Sequence, residues 1–342
     1  MPLVSVVVPV YNVDIYLEEM LEGLRNQTLK DIEIICVDDG STDKSAGIIQ
    51  NQAQKDTRIK YIRQENQGGG AARNTGIAAA DGKYLICLDA DDIYEGNMLE
   101  LLYNQAEKTD ADITICEYVA WNMQTNYKSP AKGIIFENAP DKEVFSRKDS
   151  PDILQVTNPG PTNKLYNTEF VKKNNLKYSL TKSSNDFCFT LLALSIAEKI
   201  TFVKQPLTTY RLMSPVSGTT NREKNSYQCF IAYRDFYNEL VQRGLFDEMK
   251  DIYFTRIVAS VNYELSFPVG ENYIQALKEF FEQEPFNSLS KKEIGDLFNY
   301  KKFKKRYFEN TLLCILTLGL NKSLKEKRES SKNVIKNIKK FI

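Results

Sequence analysis

Short apolar runs alternate with amphipathic segments over the first third of the chain. The runs are rich in Val and Ile, which is typical of strands buried on both faces. Four of them are predicted strands, at residues 3–8, 32–37, 59–62 and 84–88, and Pro9 is expected to end the first. Between them we predict helices over residues 13–27 and 71–80 and a third helix starting at residues 41–43. This alternation predicts βαβ units and a parallel sheet.

The rest of the chain has a mixed and then a helical pattern. Further helices are predicted at residues 95–108, 168–175 and 184–197, and further strands at residues 111–117, 200–203 and 207–210. The polar and aromatic residues 118–136 are expected to form a hairpin or a loop. After about residue 221, helical patterns rich in Lys and Glu replace the strand patterns. We therefore expect an α/β domain, residues 1–218, and a mainly helical region, residues 219–342.

The composition excludes several kinds of site. The 342 residues include six cysteines, mostly within apolar runs and without a Cys-x-x-Cys pair, which favours buried free thiols. Histidine is absent. This excludes Ser-His-Asp and Cys-His catalysis and imidazole-based zinc sites, so acid–base chemistry falls to carboxylates, Lys, Tyr or Cys. Because no secretory leader or membrane-spanning apolar run is recognised, a cytoplasmic location is expected.

Charge is unevenly distributed, although the formal net charge is zero. Residues 301–342 carry 13 Lys or Arg against 3 Asp or Glu, and residues 334–342 place apolar side chains opposite Lys at helical spacing. Such a basic amphipathic segment suits an anionic membrane surface, and packing within a helical subdomain explains it equally well. We therefore expect either a peripheral position on the inner face of the cell membrane or ordinary packing. No nucleic-acid partner is expected.

Carboxylates are concentrated where two predicted strands end. Asp89, Asp91 and Asp92 follow the fourth strand, and Asp39 follows the second. The carboxyl ends of parallel strands form the edge at which α/β sheets bind ligands. Acids this close together repel one another unless a cation lies among them, and a divalent cation carrying a phosphorylated ligand fits that need. A solvated acidic turn before the next helix is the simpler alternative.

A glycine-rich segment precedes the fourth strand, but two familiar nucleotide-binding motifs fail there. The chain has no Gly-x-x-x-x-Gly-Lys-Ser/Thr sequence, which excludes a P-loop. Gly68-x-Gly70 is followed by Arg73 where a dinucleotide-binding fold has its third glycine. The segment either brings backbone amides and the Arg73 cation near phosphates or serves as a flexible hinge.

Four motifs within residues 3–92 together resemble family 2 glycosyltransferases of the GT-A fold. In the family's order and spacing, they are Val8-Pro9-Val10-Tyr11-Asn12, Val37-Asp38-Asp39-Gly40-Ser41-Thr42-Asp43, Gly70-Ala71-Ala72-Arg73-Asn74-Thr75-Gly76 and Leu88-Asp89-Ala90-Asp91-Asp92. The likeness continues through Asn163-Lys164-Leu165-Tyr166 and Asn185-Asp186 to about Arg211. It implies a three-layer α/β/α sandwich with a mostly parallel sheet, followed by a helical subdomain. Residues 1–117 would bind the nucleotide-sugar and residues 118–218 the acceptor.

The resemblance also implies a reaction. An inverting transferase would move a sugar from a nucleotide diphosphate donor, expected to be a UDP-sugar, to a hydroxyl of a saccharide or lipid-linked acceptor in surface polysaccharide synthesis. Mg²⁺ or Mn²⁺ is the implied cofactor, with Asp91 as its ligand. Asp39 would accept from the base, and Asp89 would face the ribose. The implied donor contacts are Pro9, Tyr11, Asn12, Asp39, Gly70, Arg73 and Asp89.

Asp186 is the implied general base, which removes the proton of the acceptor hydroxyl. The chain departs from the family in having Asn185 where an acid is usual and in lacking the histidine that often follows the Tyr-Arg pair. Helix capping is the structural alternative for Asn185, Asp186 and Asp92. The candidate acceptor or diphosphate contacts are Asn163, Lys164, Asn185 and Arg211, each with a structural role as its alternative.

Two other functions stay open. A non-catalytic nucleotide-sugar-binding module of the same fold would tolerate both departures. A sugar nucleotidyltransferase would have a Gly-rich loop with Lys or Arg after its first strand, whereas this chain has Pro-Val-Tyr-Asn. The first alternative is therefore closer to the sequence than the second.

Overall fold

Nine strands form one sheet in the part of the chain that this computed structural model describes. The described residues are 1–129, 141–151, 153–212, 214, 225–264, 271–290 and 293. The chain divides into two compact units, Met1–Thr220 and Asn221–Ile342, and the sheet lies in the first.

The first half of the sheet is parallel. Its strands are β1 (Val4–Val10), β2 (Ile32–Asp38), β3 (Ile59–Arg63) and β4 (Tyr84–Cys87), in the spatial order β3-β2-β1-β4. They are connected by the helices α1 (Asp14–Arg25), α2 (Ser45–Lys55) and α3 (Gly69–Ala78). The predicted βαβ units are confirmed in this region.

The second half of the sheet contains strands of both directions. The next elements are β5 (Ile93–Tyr94), α4 (Met98–Thr109), β6 (Ile113–Asn122), β7 (Tyr127–Lys128), α5 (Ile153–Val156), β8 (Lys164–Asn167), α6 (Thr168–Lys173), α7 (Asp186–Ile196) and β9 (Ile200–Leu212). The sheet continues as β4-β8-β6-β9-β5, with β7 paired to β6. Strands β5, β7 and β8 are antiparallel to their neighbours, whereas β6 and β9 are parallel to each other, so the sheet is mostly parallel.

Helices cover both faces of the parallel half. Val6 and Val8 of β1 pack in one cluster with Leu17 of α1 and Leu102 of α4. On the opposite face, Ile35 of β2 packs with Ala72 of α3. Since each strand buries both faces, its sequence is an almost unbroken apolar run. The predicted three-layer α/β/α arrangement follows from this packing.

The strand predicted at residues 111–117 extends further, as β6 ends at Asn122, and two other predicted boundaries are wrong at prolines. Pro9 lies within β1, opposite Val37 of β2, because β1 pairs with β4 only as far as Val7 and the missing N–H therefore has no strand to face. The two short strands expected around Pro206 are one strand, β9, and Pro206 follows a register shift against β6. This irregularity accommodates the proline within a continuous strand.

The described part of the second unit is helical. Its helices are α8 (Cys229–Gln242), α9 (Phe246–Glu264) and α10 (Glu271–Phe281). Aromatic side chains pack among them, including Phe254, Phe280 and Phe286. Within the described residues, the helices are too short or too polar to cross a membrane. The predicted basic amphipathic segment at residues 301–342 and Cys314 lie outside the described residues.

Candidate active site

The carboxyl ends of β1, β2 and β4 meet at one edge of the sheet, where the strand order changes direction. The helix after β1 covers one face and the helix before β4 covers the other, an arrangement that predicts a ligand-binding crevice at this edge. Asn12 joins two of the loops there, because its Oδ1 accepts a bond of 2.8 Å from the N–H of Thr42. Tyr11 is 52% exposed beside it. The turn after β1 therefore presents an aromatic ring at the switch point.

Asp39 shapes the loop that leads into α3. Its Oδ1 accepts from Nε2 of Gln64 at 2.8 Å and from the N–H of Gln67 at 2.9 Å. Its Oδ2 accepts from the N–H of Gly68 at 2.7 Å. A carboxylate has about four acceptor positions, so direct contact with a base stays a prediction beside this structural role.

Gly70 allows α3 to pack tightly against the segment that precedes α7. A Cβ at this position would lie 2.1 Å from the carbonyl oxygen of Ser179 and 3.1 Å from Cβ of Asn185. No residue with a side chain fits at that separation. The geometry favours close packing over the hinge interpretation of this glycine.

Arg73 of α3 is buried at the centre of the site. Its Nη2 is 2.5 Å from Oδ1 of Asp89, and its Nη1 donates to Oδ1 of Asn185 at 2.9 Å. The guanidinium also lies 5.4 Å from the ring centre of Tyr178. Although burial disfavours the charge, the carboxylate of Asp89 holds the pKa of Arg73 above its usual value. Arg73 thus joins the end of β4 to the start of α7.

Among the described residues, the carboxylates of Asp91 and Asp92 form no ion pair like the one between Asp89 and Arg73. Burial, with the charge of Asp89, raises the pKa of Asp91 to about 6. Burial and the charges of Asp89 and Asp91 raise the pKa of Asp92 well above its usual value. Oδ1 of Asp92 accepts from the backbone N–H of Arg211 at 2.9 Å, whereas its buried Oδ2 has no hydrogen-bond partner. Helix capping by Asp92 is wrong, because α4 begins after Asn97.

Arg211 braces the acidic loop from behind. Its Nη1 donates to the carbonyl oxygen of Asp91 at 3.0 Å, and its Nη2 is 2.8 Å from Oε2 of Glu19 on α1. The guanidinium lies 4.6 Å from the ring centre of Tyr16. The structural salt bridge is therefore present, and contact of Arg211 with a diphosphate stays a prediction. Buried Ser214 contributes a hydroxyl 3.5 Å from Oδ2 of Asp91.

Asp186 is the first residue of α7 and is half-buried. Burial raises its pKa to about 6, against the opposing charge of Arg73. Asn185 occupies the helix N-cap position, but its side chain makes no capping hydrogen bond. The capping interpretation of Asn185 is wrong, because its amide oxygen accepts from Arg73 instead.

Asn163 and Lys164 have structural roles. Nζ of the fully buried Lys164 donates to the carbonyl oxygens of Asn158 and Gly160 and to Oδ1 of Asn163, at 2.7–2.8 Å. Nδ2 of Asn163 donates to the carbonyl oxygen of Cys116 at 2.7 Å. These bonds fix the loop before β8. These contacts supply the structural alternative for both residues, and contact of either side chain with substrate stays a prediction.

The sequence of the chain matches a known family. Residues 5–174 match the profile of Glycosyl transferase family 2. The chain is similar to Glycosyltransferase GlyG of Streptococcus pneumoniae serotype 4, with 37% identity over 223 residues, 62% of this chain and 71% of GlyG. This chain belongs to glycosyltransferase family 2.

Solved structures of glycosyltransferases share the fold of this family member. Residues 1–349 of S. aureus TarS have a TM-score of 0.67 and 21% identity, over 93% of this chain and 89% of the TarS fragment. That fragment has also been solved with UDP and with UDP-GlcNAc. The mannosyltransferase PcManGT of Pyrobaculum calidifontis, in complex with GDP-Man and Mn²⁺, has a TM-score of 0.50 and 12% identity, over 94% of this chain and 88% of PcManGT. The GT-A fold expected for the family is confirmed.

The acids of this family 2 enzyme fit a divalent cation that a phosphorylated ligand helps to hold. Within the described residues, no three Cys, Asp or Glu side chains form a metal-binding cluster by themselves. The unpartnered Oδ2 of Asp92 and the raised pKa of Asp91 are, however, features of acids arranged for a missing positive charge. Oxygen donors of this kind suit Mg²⁺ or Mn²⁺.

Sequence patterns missed three residues that organise the site. Glu19 pairs with Arg211, Tyr178 lies beside Arg73, and Ser214 approaches Asp91. Glu19 and Tyr178 lie far from their partners in sequence, at positions that look like an ordinary helix surface and an ordinary loop. Ser214 could have been found from the sequence, because it closely follows the Tyr-Arg pair after which the family often has a histidine.

Proposed function

We propose that this glycosyltransferase transfers a sugar from a UDP-sugar to a hydroxyl of a saccharide or lipid-linked acceptor, with inversion, during surface polysaccharide synthesis. One observation carries the proposal. Arg73 forms an ion pair with Asp89, which lies close in sequence to the candidate metal ligands Asp91 and Asp92. It also donates to Asn185, the residue before Asp186. One buried guanidinium thereby links the proposed diphosphate-binding edge to the residue next to the proposed general base.

The donor is proposed to bind at the ends of β1 and β2. The exposed Tyr11 ring can pack on a base, and the carboxylate of Asp39 and the loop that it shapes line the same crevice. The ribose would approach Asp89. TarS, whose fold this chain shares, was solved with UDP and with UDP-GlcNAc, which supports UDP as the nucleotide. Pro9 in β1, Asn12 in the turn that follows and Gly70 in α3 are proposed to flank the nucleotide.

Asp186 is proposed to act as general base. Its carboxylate would take the proton of the acceptor hydroxyl while that oxygen attacks the anomeric carbon. The bond from the anomeric carbon to the diphosphate oxygen breaks in the same step, and the nucleoside diphosphate leaves from the opposite face. A single displacement of this kind inverts the configuration and needs no covalent intermediate. A base with a pKa of about 6 is ionised at neutral pH and remains basic enough to accept a proton.

Asp91 and Asp92 are the residues that would hold Mg²⁺ or Mn²⁺. When bound, the ion supplies positive charge to the leaving diphosphate. The Mn²⁺ complex of the fold relative PcManGT supports this proposal. Arg211 and Ser214 would hold the Asp91 loop in place through the contacts described above.

A cytoplasmic location, with docking on the inner face of the membrane, is proposed from the basic residues 301–342. Vesicle flotation tests it with the full chain and with a variant that ends before Lys301. The full chain is expected to float with anionic vesicles and to remain unbound with neutral ones. Equal behaviour of the two proteins on anionic vesicles would contradict membrane docking by these residues.

The proposed reaction is tested with a panel of UDP-sugars and saccharide acceptors. UDP release is measured with Mn²⁺, with Mg²⁺ and with a chelator, and NMR determines the anomeric configuration of the product. We expect metal-dependent UDP release that Asp186→Asn abolishes, and an inverted product. Nucleotide binding without turnover under any metal would favour a non-catalytic binding module, and a retained configuration would exclude the single displacement.

A further inference from the structure

Asn185 has an unusual role for a residue at the start of a helix. Its Oδ1 accepts from Arg73 at 2.9 Å, and its Nδ2 donates to the carbonyl oxygen of Thr181 at 3.3 Å. Its own carbonyl oxygen accepts from the N–H of Ser179 at 3.0 Å. The bond to Thr181 orients the amide so that its oxygen faces the guanidinium. Both ends of this side chain are therefore used, and neither caps α7.

The amide is neutral, and its neighbours are charged. Arg73 is held between Asp89, at 2.5 Å, and Asn185, and it also acts electrostatically on Asp186. A carboxylate at position 185 would compete with Asp89 and Asp186 for the charge of this buried guanidinium. It would also place a like charge directly beside Asp186, and like charges in a buried site disfavour ionisation.

We propose that Asn185 is a positioning residue that anchors Arg73 through a neutral amide and so reserves the guanidinium charge for Asp89 and the candidate base Asp186. The amide holds the guanidinium in position without neutralising its charge. The expected effect on the rate of sugar transfer rests on the proposed function. The expected effect on the pKa of Asp186 does not, because it can be measured in the folded protein without substrate.

The electrostatic surroundings of Asp186 come from several elements of the fold. Arg73 on α3 and Lys164 on β8 favour its ionised form, and Asp89 after β4 opposes it. The hydroxyls of Tyr166 on β8 and Tyr210 on β9 also interact electrostatically with Asp186. The tyrosines stay neutral over the accessible pH range, because burial raises the pKa of each phenol. The effect of a charge at position 185 on Asp186 is thus measured without titration of these two phenols between pH 5 and 8.

The test compares Asn185→Asp with Asn185→Ala. In protein labelled with ¹³C at the aspartate carboxyl carbons, the Asp186 signal is assigned by its loss in Asp186→Asn and titrated from pH 4 to 9. Asn185→Asp is expected to raise the pKa of Asp186 by about one unit, because it adds a nearby negative charge. Asn185→Ala adds no charge but loses the anchor of Arg73, and it is expected to raise the pKa of Asp186 by clearly less than Asn185→Asp. Asn185→Glu is the second acidic variant, should Asn185→Asp not fold.

The kinetic arm uses the pH dependence of kcat/KM for sugar transfer. In Asn185→Asp, the pH below which kcat/KM falls should rise by the same amount as the pKa of Asp186 measured by NMR. This shift lowers kcat/KM about threefold at pH 6.5 and changes it little at pH 8.5. The matched control is Asn167→Asp at the start of α6, where the amide does cap the helix by accepting from Phe170. This control should leave the Asp186 titration unchanged.

An unchanged Asp186 pKa in both acidic variants would overturn the role of Asn185, as would an equal upward shift in Asn185→Ala. Absence of sugar transfer by the unaltered protein would contradict the proposed function instead. The NMR titration would still decide the inference in that case, since it requires no turnover.

Discussion

The backbone N–H of Arg211 donates a hydrogen bond of 2.9 Å to the carboxylate of Asp92. This bond fastens the last strand of the sheet to the acidic loop after β4. The side chain of Arg211 adds a second link, through the carbonyl oxygen of Asp91, and a third, through Glu19 on α1. The acidic loop is therefore tied to β9 and, through Arg211, to α1, two elements that are distant from it in sequence.

Replacing Arg211 with Met should weaken both stability and donor binding. The change removes the buried guanidinium, whose side chain is only 5% exposed, and leaves the carbonyl of Asp91 without its donor. Disruption of a buried pair costs about 3–5 kcal/mol when a charge is left uncompensated, and we expect less here because Glu19 is 62% exposed. Thermal unfolding and UDP titration in the presence of Mn²⁺ measure the two effects. Glu19→Gln is the control, with an expected cost below about 1 kcal/mol; an Arg211→Met variant as stable as that control would contradict the bracing role.

Replacing Asp91 with Asn should stabilise the metal-free protein at pH 7.5. The pKa of Asp91 is about 6 in the folded state, above its usual value of 3.8, so ionisation disfavours folding. The folded state consequently loses stability as pH rises from about 4 through 6, and the Asn side chain removes that loss. We expect Tm to rise by about 2–4 °C at pH 7.5, which corresponds to roughly 1 kcal/mol, and to change little at pH 4. A lower Tm at pH 7.5 in the absence of metal would show that repulsion among these acids is not the dominant effect.

The position of the polar residues at one edge of the sheet was predictable, because the local hydrophobic pattern determines where each buried strand gives way to polar residues. Buried parallel strands require apolar runs, and the polar residues that follow, such as Asp39 and Asp89, necessarily lie at one edge of the sheet. The pairing of Arg73 with Asn185 and of Arg211 with Glu19 joins residues 112 and 192 positions apart. No periodicity records such contacts, since each depends on how distant elements pack. The strand boundaries at Pro9 and Pro206 failed for the same reason, because only the neighbouring strands decide whether a proline is tolerated.

Replacing Asp186 with Asn should separate donor binding from chemistry. The amide cannot accept a proton from the acceptor hydroxyl, and loss of a general base typically costs 10²–10⁴-fold in rate. The affinity for UDP should change little, because the proposed nucleotide contacts lie at the ends of β1 and β2. In the unaltered enzyme, activity should rise with pH through about 6, as Asp186 ionises. Full activity in Asp186→Asn would exclude this residue as the base.

Replacing Gly70 with Ala should impair the site through packing alone. The added Cβ would meet the carbonyl oxygen of Ser179 at 2.1 Å, so α3 or the segment before α7 must shift, and Arg73 and Asn185 shift with them. We expect a loss of at least tenfold in turnover and a lower Tm. Gly47→Ala in α2 is the matched control, since no atom lies within 4 Å of its added Cβ and a helical Gly→Ala change usually stabilises by about 0.5–1 kcal/mol. Equal behaviour of the two variants would contradict the close-packing role of Gly70.

The most direct test of the proposed donor site is the thermal shift produced by UDP with and without Mn²⁺. A ligand that binds only the folded protein raises Tm by mass action, because it adds about 2.7 kcal/mol to the free energy of unfolding at a concentration 100 times its Kd. We predict a clear rise in Tm with UDP and Mn²⁺ together, a smaller rise with UDP alone, and loss of the metal-dependent part in Asp91→Ala. No response of the unaltered protein to UDP, with or without Mn²⁺, would contradict the assignment of this strand edge as a nucleotide-sugar site.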